Sequence, residues 1–138
     1  MLYTKSVASP LSQRRDGLRI LATRYRGRGL PASRYHVWMP NLAPSERLLA
    51  AFRGGRISWG QFRRAYREEM VLGGRIDARN RTIKNHGQKF TLRLLARLAQ
   101  GGPVTLLCHC GEAERHCHRH LLQELILSSG ARHAQRRD

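Results

Sequence analysis

The 138-residue chain is long enough for one domain with a substantial core, but hardly for two independent ones. Twenty-six Lys and Arg against nine acidic residues leave a formal charge of +17, which weakens the compact state by self-repulsion and attracts polyanions. No apolar run approaches a membrane span, and MLYTKSVASP has no apolar stretch of signal-peptide length, so a cytoplasmic protein with no membrane partner is expected.

Taken in chain order, Leu2 to Val7 predicts a short first strand that the Ser9-Pro10 pair interrupts. Gln13 to Gly17 is polar and turn-like, with Asp16 in the turn. Leu18 to Thr23, LRILAT, groups aliphatic residues between charged boundaries and predicts a buried strand. Pro31, Pro40 and Pro44 punctuate the next segment, which holds no long element. Ser45 is placed to cap a helix from Glu46 to Phe52, stopped by Gly54 and Gly55. Ser58 opens a second helix, SWGQFRRAYREEMV, with Trp59, Phe62, Tyr66 and Val71 sharing one face. Phe90, Leu94, Leu95 and Leu98 mark a third amphipathic helix, ended by Gly101-Gly102-Pro103. VTLLCHC then reads as a buried strand, and a loop from Gly111 feeds a last helix from about His118 to Leu127.

All three cysteines and four of the seven histidines fall in LLCHCGEAERHCHRHLLQELI. Three clustered cysteines do not make a secreted disulfide framework; reduced thiols or metal thiolates fit better. One chemistry is nucleophilic: Cys110 as the attacking thiol, with His109, His116 or His118 as base, and with Arg119 and exposed helix amides favouring an anion or a thiolate. CGEAER resembles the active loop of the rhodanese sulfurtransferases, although Glu112 and Glu114 would oppose a positive cradle. A second is metal binding, for which Cys108, Cys110, Cys117 and His118 are a donor set suited to zinc. The bland alternative is that Cys108 finishes a core strand and Cys117 packs at the start of the helix. Trp38 and Trp59 read as packing anchors, and Tyr66 as a buried rim position. His36, His86, Asp16 and Asp77 have no evident partners. Arg24, Arg26, Arg28 and Arg34 could line a phosphate-contacting groove, and Arg63, Arg64 and Arg67 a second patch, which allows nonspecific nucleic-acid contact but supports no sequence-specific fold.

DGLRILATRYRGRGL, VWMPNLAPSERLLAAF with WGQFRRAYREEM, and VTLLCHCGEAERHCHRHLLQEL together resemble the DUF488 family, from about Leu18 to Leu125. The resemblance implies an α/β fold: one compact domain over residues 1–130, with a small, mainly parallel sheet flanked by helices, and a basic tail over 131–138. The family's strand-end Cys falls on Cys108, its Cys-His-Arg on Cys117, His118 and Arg119, and its early arginines on Arg24 and Arg28. The chain departs from the family where Cys110 replaces an acidic residue and where YRGRG replaces LWPRG. The combined expectation is a pocket for an acidic or phosphorylated small molecule, with Arg24, Arg28 and Arg119 recognising its charge. Cys108, Cys110, Cys117 and His118 are the candidate catalytic positions, with a nucleic-acid-binding or zinc-bearing structural protein as the alternative.

Overall fold

The computed structural model describes residues 1–72, 74, 78–82 and 87–135, the side chains of 132–135 excepted. Asp77, His86 and residues 136–138 lie outside the described residues. Four parallel strands form one sheet in the order β1-β4-β2-β3: β1 (Leu2–Ser6), β2 (Leu18–Leu21), β3 (Val37–Trp38) and β4 (Val104–Cys108). VTLLC sits between β1 and β2 with all five residues buried, as an unbroken apolar run in a covered parallel sheet must be. Register pairs Ser6 with Cys108 and Leu21 with Leu107, so the strands' carboxyl ends share one edge of the sheet.

The helices begin where their caps dictate. The hydroxyl of Ser45 accepts from Leu48 N at the start of α2 (Glu46–Arg53), and Ser58 and Gln61 form a reciprocal capping box on α3 (Trp59–Val71). The Gln13–Asp16 stretch, expected as a turn, is a single helical turn, α1, capped by Ser12. Two further helices, α4 (Lys89–Gly101) and α5 (His118–Gln135), pack against each other.

One face of the sheet, carrying Ile20, Ala22, Val104 and Leu106, meets the helices through Phe62, Tyr66, Leu92, Leu122 and Ile126. The other face, with Leu21 and Leu107, is covered by Val7, Leu30 and Tyr35 from loops. Loops carry unpaired carbonyls, and here arginines satisfy them. Buried Arg19 donates to the Arg34 and Ser33 carbonyls, Arg34 to those of Val7 and Ser9, and Arg26 to that of Leu30 and to the Tyr35 hydroxyl. Part of the cationic excess is therefore internal scaffolding.

Two expectations are corrected. On α4 the core face is Leu92, Leu95, Ala96 and Ala99, while Phe90, Leu94 and Leu98 are exposed, because the small alanines allow close approach of α5. The Pro-rich segment holds no long element, as expected, only the two-residue β3 paired with β2. Trp38 is exposed and is held by its indole N–H donating to the Thr23 carbonyl, whereas Tyr66 is fully buried with its hydroxyl donating to Leu42 O.

Candidate functional site

At the carboxyl edge β4 stops at Cys108, and the chain loops back to α5, which begins directly after Cys117. Cys108 Sγ and Cys117 Sγ lie 3.2 Å apart, both buried, and the sulfurs of Cys108, Cys110 and Cys117 all lie within 4.8 Å of one another. Arg119, the second residue of α5 and 1% exposed, holds this loop from beneath. It donates to Cys108 Sγ at 3.0 Å and to the carbonyls of Cys110, Gly111 and Glu112. Its Nε has no acceptor among the described residues, so the buried guanidinium beside the sulfurs is incompletely hydrogen-bonded. Glu112 turns away and ties the loop to β1, accepting from Ser6 N and the Ser9 hydroxyl at 2.6 Å each. Glu114 accepts from His116 N.

These surroundings divide the thiols into two kinds. Hydrogen bonds from the Cys108 and Cys117 thiols, with Arg119 nearby, pull half-buried Cys110 far below the ordinary thiol range. Cys108 and Cys117 move upward, because each donates toward a neighbouring sulfur and both are buried. Of the three, Cys110, the sulfur nearest solvent, is the one whose thiolate these surroundings favour. Burial lowers the His118 pKa and keeps the ring neutral, and its Nε2–H donates to the Ala22 carbonyl.

The sulfurs open onto a cavity of about 540 Å³. Its walls come from the end of β2 (Thr23, Arg24), the loop after it (Tyr25, Gly27), the end of α2 (Phe52, Arg53), Phe62 of α3, and the cysteine loop with His109, His116 and His118. Gly27 lies at φ +92°, and a Cβ there would come within 2.8 Å of the His109 ring, whose Nε2 meets the Tyr25 carbonyl. Glycine lets the two loops close the cavity between them. His116 lies flat on Trp59, centroids 4.7 Å apart, and Trp59 in turn packs on Phe52 and Phe62.

Of the residues singled out in the sequence, Cys108, Cys110, Cys117, His118 and Arg24 meet at this cavity. Arg24 spends Nε and Nη2 on the Pro44 and Ala43 carbonyls, and its Nη1 has no acceptor among the described residues. Arg119 lies under the wall with its donors directed inward, and exposed Arg28 is not among the lining residues. The three arginines therefore do not converge. Neither ring nitrogen of His118 joins the three-sulfur donor group. Arg53 and the His116–Trp59 stack were not identified beforehand: Arg53 reads as an ordinary basic residue in a last helical turn, and the stack joins residues 57 positions apart.

The molecule is thus an α/β protein whose parallel sheet presents a three-thiol cluster to a cavity at its carboxyl edge, where open α/β folds place their sites. Residues 2–130 match the family model DUF488-N3a, described as the active DUF488-N3 subclade, and the chain belongs to the DUF488 family. No curated protein and no solved structure matches it.

Proposed function

We propose that this protein is a cysteine-dependent enzyme acting on an acidic or phosphorylated small molecule. The observation that carries the reading is the convergence of three sulfurs on the cavity wall over the buried Arg119. Cys110 is the nucleophile, because it is the partly exposed sulfur of the three and its two neighbours stabilise its anion. Arg24 Nη1 meets the ligand's charge, and Arg119 is a positioning residue that shapes the loop. Neutral His118 supports Cys110 through the wall rather than as its base. Three free thiols suit a reducing compartment such as the cytoplasm.

Limited alkylation at mildly acidic pH, mapped by mass spectrometry, tests the reading. Cys110 should be modified well ahead of Cys108 and Cys117, and inorganic pyrophosphate should slow the reaction in the parent protein but not in Arg24→Ala. Equal labelling of the three cysteines, or no effect of pyrophosphate, would refute it.

The sulfur geometry also favours a second reading, a thiolate-bound metal. Zinc with bonds of about 2.3 Å places tetrahedral sulfurs about 3.8 Å apart, so a small spreading of the 3.2 Å Cys108–Cys117 contact would admit the ion. The fourth position would open into the cavity. Native mass spectrometry of protein purified without added metal decides: one zinc per chain, lost in Cys117→Ser, establishes this reading, and a metal-free chain dismisses it.

A further inference from the structure

The cavity has two unlike walls, and a simple acid would use only one of them. Two cations share the lining with the sulfurs, Arg24, whose Nη1 has no acceptor among the described residues, and exposed Arg53 at the end of α2; Glu114 is the carboxylate among the lining residues. The lining also carries rings, those of Phe52, Phe62 and His116. Phe52 and Phe62 lie 4.7 Å apart, and His116 is pressed flat on Trp59 at an interplanar angle of 13°, which fixes a planar surface on an otherwise exposed loop. An inorganic phosphate would fill a small part of about 540 Å³ and would leave the rings idle. A ligand with a flat, apolar ring and a phosphate tail occupies both walls: stacking on aromatic faces favours the ring, and charge-assisted hydrogen bonds favour the phosphate. The site at the carboxyl ends of β2 and β4 is also where parallel sheets receive such ligands.

We infer that the ligand of this cavity is a nucleotide, its base against Phe52 and His116 and its phosphate on Arg24 and Arg53, which brings it beside Cys110. This deepens the proposed function and rests on the same cavity, but not on the reactivity of the thiol. The competing explanation for any nucleotide binding is the overall charge of +17, which would draw phosphates to many surface arginines. Arg64, on the exposed face of α3 beside a different groove, serves as the control for that effect.

Isothermal titration at near-physiological salt with adenosine 5′-monophosphate, adenosine and inorganic phosphate tests the inference. The monophosphate should bind about tenfold or more tightly than either fragment, a gap of about 1.4 kcal/mol per decade. Arg53→Ala and His116→Ala should each weaken it about tenfold, while Arg64→Ala leaves it unchanged and Cys110→Ser, which takes a thiolate away from the phosphate, does not weaken it. Because Cys110→Ser removes the thiol and keeps the walls, binding that survives there while alkylation of the parent protein shows an ordinary thiol would overturn the catalytic reading alone. Phosphate binding as tightly as the nucleotide, loss with Arg64→Ala equal to that with Arg53→Ala, or no effect of His116→Ala would overturn the inference.

Discussion

The two ends of the sheet are built from the same strands and treat charge in opposite ways. At the amino edge, Lys5 and Asp16 form a 2.8 Å ion pair, the Asp16 carboxylate also accepts from Ser12 N, and its carbonyl accepts from Thr105 Oγ1. Gly17 packs so tightly there that a Cβ would fall 2.0 Å from the Pro103 carbonyl oxygen. Both members of the ion pair are met by partners, and the result is a structural joint beside an open groove. At the carboxyl edge, Arg119 and two buried thiols surround a third thiol that faces a cavity, and no acid in the described residues pairs with that arginine. A buried cation whose compensating charge is a solvent-facing sulfur costs stability at its own site, and that imbalance separates a site from a joint.

The sharpest way to break this comparison is to remove the cation. Arg119→Met leaves the Cys110, Gly111 and Glu112 carbonyls without their donor and should cost about 3–5 kcal/mol in urea denaturation. A loss below about 1 kcal/mol would mean that the loop does not depend on it. Glycines at the two ends come next. Gly17→Ala forces a side chain onto rigid backbone at φ +60° and should cost about 2–4 kcal/mol, whereas Gly27→Ala meets only the His109 ring, which can swing aside, and should cost about 1–2 kcal/mol. The reverse order would contradict the contrast between joint and site. Asp16→Asn should cost about 1–2 kcal/mol and leave the alkylation rate of Cys110 unchanged.

The pH dependence of stability gives the smallest and most specific contrast. Burial would raise the Asp16 pKa, but hydrogen bonds from Lys5 and Ser12 hold it below its usual value. Its contribution is therefore complete above the unfolded value of about 3.9 and is lost as pH falls through the folded value. At the other edge, Cys110 is depressed by its thiol neighbours, so its contribution is complete above the unfolded thiol value of about 8.5 and shrinks as pH falls. Cys108 and Cys117, raised in the fold, contribute below about 8.5 and lose that contribution as pH rises further. Unfolding free energies measured across that range should lose their rise below about 8.5 in Cys110→Ser, and their fall above it should shrink in Cys117→Ser, where Cys108 alone remains raised. Identical profiles for the two variants would show that the thiols do not divide into two kinds.

Local signals in the sequence carried most of the fold. Ser45 and Ser58 marked both helix starts, and the apolar VTLLC identified the central strand, because caps and buried runs act over a few residues. On α4 the leucines suggested the wrong face, since Ala96 and Ala99 bury as readily as leucine when a neighbouring helix packs closely. The cysteines were readable as a cluster by proximity alone. The role of Arg119 was not, because a guanidinium that clamps carbonyls and one that awaits a ligand are the same residue in sequence. The pairing of Trp59 with His116, and of Gly27 with His109, depends on contacts between distant segments that no local pattern encodes.

The pH dependence of Cys110 alkylation by iodoacetamide, followed residue by residue, tests the central claim most directly. A thiolate held by two thiols and a buried guanidinium predicts a rate nearly flat from mildly acidic to neutral pH, becoming pH-dependent in that range once Arg119 is replaced by methionine. A rate in the parent protein that climbs with pH toward the ordinary thiol value of about 8.5, unchanged by that replacement, would contradict the account.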